Sequence, residues 1–103
     1  MLKSIAIALG LVFLSSAATA QEGNVGLGKS LAEANCSQCH NIAPGGAFKL
    51  YPPSFASIAV YMDPDIIRLR IMTPTHVLMP QFQDYMNATS LDALVAYIQS
   101  LEE

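Results

Sequence analysis

The chain has 103 residues, 52% of them hydrophobic, and a formal net charge of −3 from five basic and eight acidic residues. So acidic a chain does not build the clustered positive groove that nucleic acid requires, although an acidic surface can steer docking to a basic partner. Cys36 and Cys39 are its only two cysteines, and a C-x-x-C pair closes too small a loop to act as an effective structural staple.

The chain opens MLKSIAIALGLVFLSSAATAQEG. Lys3 supplies a short positive end, Ile5 to Leu14 an apolar run, and Ala18-Thr19-Ala20 an A-x-A cleavage pattern. An apolar run of about ten residues is too short to span a ~30 Å hydrocarbon core as a helix. The expectation is a cleaved secretory signal over residues 1–20, followed by one domain over residues 21–103 with no stable membrane insertion. A domain this small buries a thin core and needs an added centre such as a disulfide, a metal or a cofactor.

GLGKSLAEANCSQCHN has helical spacing, with Leu27, Leu31 and Ala34 near one face. Gly28 inside such a helix costs stability relative to alanine, so its retention implies either a close approach by another element or fraying near the helix start. IAPGGAFKLYPPSFASIA reads as a loop, on Pro44, Gly45, Gly46, Pro52 and Pro53, with a short helix beginning near Ser54. A second helix is predicted over Asp63 to Met72, with Asp63 as N-cap and Pro64 at the first helical position; Pro74 ends it. TPTHVLMPQFQDYMN carries two prolines and reads as an ordered loop. ATSLDALVAYIQSLEE predicts a terminal helix capped by Thr89 or Ser90, with Leu91, Leu94, Ile98 and Leu101 as its stripe. The class is therefore all-α, with three to five helices and long loops that need something at the centre to organise them.

CSQCH, residues 36–40, bears on what that something is. A dithiol redox centre of the thioredoxin kind requires strands that the pattern lacks. Zinc wants about four ligands; Cys36, Cys39, His40 and His76 supply them on paper, but adjacent Cys39 and His40 make joint tetrahedral ligation awkward. C-x-x-C-H also reads as an attachment site for c-type haem, with both sulfurs along one edge of the ring and His40 beneath the iron. The sixth iron position then needs an account. Met62, Met72, Met79 and Met86 are the methionines beyond the signal. Met79 stands apart because Pro74 and Pro80 brace its loop, so His40 and Met79 are the candidate metal ligands. His76 or an open face are the alternatives, and Met62, Met72 and Met86 read as packing.

Taken together these features resemble the bacterial class I cytochromes c, the small monohaem type, over the whole region after the signal. Cys36, Cys39 and His40 match the haem motif. MPQF, Met79 to Phe82, matches the axial-ligand loop, and LVAYIQSL matches the last helix. The resemblance implies a small cytochrome c fold around one haem held covalently by Cys36 and Cys39. It implies that Pro53 offers its carbonyl to the His40 ring N–H, that Phe55 packs by the haem, and that Tyr97 meets Gly28 where two helices cross. Pro52 in place of a frequent glycine, Ala32 in place of a frequent aromatic, and TPTHVL in place of a glycine-rich run are departures.

The function implied is electron transfer without catalysis, by a periplasmic carrier, monomeric or weakly dimeric. Its partners would be redox proteins: a periplasmic dehydrogenase, a membrane cytochrome complex, or a terminal oxidase or reductase. The alternative is a dedicated cytochrome subunit of a periplasmic dehydrogenase. A haem peroxidase or ligand-sensing module would require an open sixth position. Ile42, Ala43, Val77 and Leu78 are candidates for a contact patch. Arg68 or Arg70 is a candidate for pairing with the haem propionates, against a solvated surface role.

Overall fold

The computed structural model describes residues 12–45, 51–75 and 78–102; His76 and Val77, Gly46, and residues 1–11 lie outside them. Four α-helices follow one another: α1, Val12–Asn35; α2, Phe55–Tyr61; α3, Pro64–Met72; and α4, Ala88–Ser100, with a 3-10 turn at Phe82–Asp84 before α4. The fold is all-α, as the spacing predicts. α1 runs through the Ala18-Thr19-Ala20 pattern, and among the described residues no helix is long and apolar enough to cross a membrane.

The central packing event is the crossing of α1 and α4. A side-chain carbon at Gly28 would meet the backbone of Ala93, with the carbonyl oxygen nearest and the carbonyl carbon at 2.7 Å, and the Cβ of Tyr97 at 2.7 Å. Only hydrogen fits there. The close crossing sets which face of α1 is buried: Gly28, Ala32 and Cys36 go inward and Val25 is half-buried. The stripe expected on Leu27, Leu31 and Ala34 is wrong. Leu27 is 42% exposed, Ala34 is exposed, and Leu31 is only half-buried. A tight crossing selects small residues over bulky ones, so hydrophobicity alone points to the wrong side.

α2 begins where Ser54, fully buried, turns its hydroxyl onto the helix. It accepts from Ser57 N at 3.2 Å and shares a hydrogen bond with the Ser57 hydroxyl at 2.8 Å. α3 begins at Pro64 with Asp63 in the N-cap position, but the Asp63 side chain makes no capping bond. Ile67 and Ile71, four apart, are its buried residues. α4 is capped by Asn87, whose Oδ1 accepts from Ser90 N at 2.8 Å, rather than by Thr89 or Ser90, which lie inside the helix. Asn87 is the better cap because the following residues then start the helix one turn before the Leu91 stripe. Leu91, Leu94, Ile98 and Leu101 are buried as predicted, joined by Ala93, Val95 and Tyr97. Arg68 on α3 pairs with Asp92 on α4, both ends part-exposed, a contact of small energetic weight.

Candidate haem-binding site

α1 ends at Asn35, and the motif that follows continues as a turn: Cys36 N bonds to Ala32 O at 2.9 Å, Cys39 N to Cys36 O at 3.2 Å, and His40 N to Cys36 O at 2.9 Å. This turn buries Cys36 and leaves Cys39 exposed, both as free thiols. Burial pushes the Cys36 thiol up to about 11 from an ordinary 9.0.

His40 is held from two directions. Its Nδ1 lies 2.7 Å from the carbonyl oxygen of Pro53. A carbonyl only accepts, so Nδ1 carries the proton and Nε2 keeps its lone pair for a ligand. Phe55 lies beside the ring, centroids 5.4 Å apart at 50°. The Pro53 contact implied by the resemblance is thus present as a hydrogen bond. The next residue is anchored as well, because Phe55 N donates to Asn41 O at 2.9 Å.

Two adjoining cavities, about 410 and 310 Å³, share Cys36, His40, Tyr51, Met79 and Phe82 in their walls. Their volumes fall within the range of small-molecule and cofactor sites. The larger is closed by Ile58, Met62, Ile67, Ile71, Leu94 and Ile98 from α2, α3 and α4, and by Pro53 and Phe55. The smaller opens past Cys39, Pro52, Leu78 and Pro80. All six residues singled out in the sequence, Cys36, Cys39, His40, Pro53, Phe55 and Met79, therefore line this joint space. The fit for a large, flat, mainly apolar group is good: aliphatic and aromatic walls, two thiols at one edge, a ligating imidazole with its tautomer fixed, and a thioether. Among the described residues no three His, Cys, Asp or Glu side chains are grouped to hold a metal ion directly, which leaves the zinc reading without a cluster there; His76 lies outside the described residues.

Sequence reading left several wall residues undecided, unplaced or read only as packing. Arg70 lines the larger cavity, whereas Arg68 is engaged by Asp92; the two are two residues apart, which sets them on different faces of α3. Met62, read as packing, is a cavity wall, while Met72 and Met86 line a third cavity of about 300 Å³ beyond Phe82. Tyr51 borders both main cavities, with a cis peptide to Pro52. Of the candidate contact patch, Leu78 is 88% exposed and Ala43 is exposed, Ile42 is half-buried against the core, and Val77 lies outside the described residues.

An all-α fold closing on an apolar space with a Cys-x-x-Cys-His turn at its edge defines a c-type cytochrome domain. The family model described as "Cytochrome C oxidase, cbb3-type, subunit III" matches residues 23–98, and the chain belongs to that family. It is a family of electron-transfer subunits that are not themselves catalytic. No curated protein and no solved structure matches the chain.

Proposed function

We propose that this chain is the haem-bearing, electron-transferring cytochrome subunit of an exported respiratory assembly. Cys36 and Cys39 would hold one c-type haem by thioether bonds, with His40 and Met79 as the side chains that would bind its iron, in the manner of class I monohaem cytochromes c. Haem bound there supplies a one-electron couple between ferrous and ferric iron.

The observation that carries the reading is the His40–Pro53 hydrogen bond at the edge of the joint cavity. It fixes the ring and makes the free imidazole nitrogen a better donor. Met79, a neutral thioether in the same walls, raises the reduction potential relative to a second imidazole. Ile58, Ile67, Ile71, Leu94 and Ile98 keep water from the centre. Arg70, the one basic residue among those walls, is placed to offset carboxylate charge on the bound group.

The family supports a bound subunit over the freely diffusing carrier, and a terminal oxidase of the cbb3 type over a dehydrogenase as the assembly it serves. Removal of residues 1–20 on export to the periplasm belongs to the same proposal. The test is an absorption spectrum of protein expressed with periplasmic haem-attachment machinery, oxidised and then dithionite-reduced. Sharp c-type bands with the weak far-red band of sulfur–iron ligation are the expected result. Haem without that band removes Met79 from the ligand set, and no haem overturns the proposal. Co-purification with oxidase subunits from native membranes separates the subunit from the free carrier.

A further inference from the structure

The hydroxyl of Tyr97, on α4, donates to the carbonyl oxygen of Ile42 at 2.6 Å, across 55 residues of sequence. Tyr97 is only 5% exposed, and the bond to half-buried Ile42 is itself part-buried. Ile42 lies two residues beyond His40, in a segment with little regular structure of its own. That segment is tied down on its other side by the start of α2, through Phe55 N to Asn41 O at 2.9 Å and through His40 Nδ1 to Pro53 O at 2.7 Å. Within the segment, Ala43 N donates to Asn41 Oδ1 at 3.1 Å. Without Tyr97 the described bonds from residues 40–43 to the rest of the fold lead only back to Cys36, through His40 N at 2.9 Å, and to residues 53–55. The α4 side would hold the segment by apolar packing alone, which has no directional preference.

We infer that Tyr97 is a positioning residue for His40: its hydroxyl clamps the Ile42 carbonyl, and so holds the backbone from which the imidazole reaches the cavity. The inference rests on the functional reading above, in which that imidazole is an iron ligand. The position of the phenol is itself set by the α1–α4 crossing, since the Tyr97 Cβ lies against Gly28, where no side chain fits. The crossing of two helices thus has a directed polar link to the ligand's backbone, and Tyr97 is that link.

The experiment uses the haem-loaded protein and its Tyr97→Phe variant, which keeps the ring and removes only the hydroxyl. Val95→Ala, a buried truncation on the same helix but outside the cavity walls, serves as the comparison for a general loss of stability. Hydrogen exchange of the backbone amides and of the His40 Nδ1–H is followed by NMR on the reduced form. Loss of one part-buried hydrogen bond predicts about fivefold faster exchange. In Tyr97→Phe this should be confined to the His40 Nδ1–H and the amides at His40, Ala43 and Phe55. In Val95→Ala any acceleration should spread over α4 and its neighbours without singling out His40. If Tyr97→Phe exchanges like the wild type, or shows only the spread pattern of Val95→Ala, the clamp is refuted while the haem reading stands. If the wild type has no haem spectrum, the functional reading fails first and the inference with it.

Discussion

The Cβ of Tyr97 lies 2.7 Å from where a side-chain carbon would stand on Gly28. The nearest atoms to that point belong to the Ala93 backbone, which cannot swing aside as a side-chain tip can. Gly28→Ala should therefore lower stability by about 1–3 kcal/mol through overpacking, despite the ~1 kcal/mol that alanine gains over glycine within a helix. Thermal unfolding of the haem-loaded variant checks this. An unchanged or raised midpoint would mean that the two helices part without cost.

Ser54 is fully buried and caps a helix of only 7 residues. Its replacement by alanine removes the acceptor for Ser57 N and leaves that donor without its partner. The expected loss is ~1 kcal/mol, read as a lower denaturant midpoint with an unchanged slope. A variant as stable as the wild type would show that the cap contributes nothing.

Met79→Ala should retain covalent haem, because in the proposed function attachment is through Cys36 and Cys39 alone. It should lose the far-red sulfur–iron band and show a lower midpoint potential, since thioether ligation raises that potential. Persistence of the band would assign the sulfur to another methionine, with Met62 in the larger cavity the first to try.

The two thiols should differ before haem is attached. Cys36 is buried and its thiol sits at about 11, while Cys39 is exposed. In the haem-free chain at pH 8, iodoacetamide should modify Cys39 first, as read by peptide mass spectrometry. The sign of the linked stability follows from the raised value. The folded state favours the neutral thiol, so that contribution is complete below pH 9.0 and is lost as pH rises toward 11. Cys36→Ala should flatten stability over that interval. Equal labelling rates, or no flattening, would show that the turn does not bury Cys36 until haem arrives.

How far the sequence discloses this fold varies with the physics of each element. α3 was legible from Asp63-Pro64 because proline at the first turn dictates backbone geometry locally. The α4 stripe was legible because a long apolar repeat has one helical interpretation. The buried face of α1 was not, because it depends on which residues tolerate the partner helix's backbone; nothing local says that Leu27 yields to Gly28. The choice of Asn87 over Thr89 or Ser90 was equally hidden, since all three can cap and only the helix start distinguishes them. At the site, the motif residues announce themselves by chemistry. The choice of Arg70 over Arg68 and the Tyr97–Ile42 bond do not, because both arise from packing between distant parts of the chain.

Leu78 is 88% exposed and Tyr51 82% exposed, and both border the opening beside Cys39 and Pro80. Charge attraction between partners weakens as ionic strength rises, whereas burial of apolar surface is strengthened by excluded salts such as sulfate. A complex gripped through this rim should therefore survive a salt wash that strips proteins held by their acidic surface alone, and should elute only when the apolar contact itself is competed away.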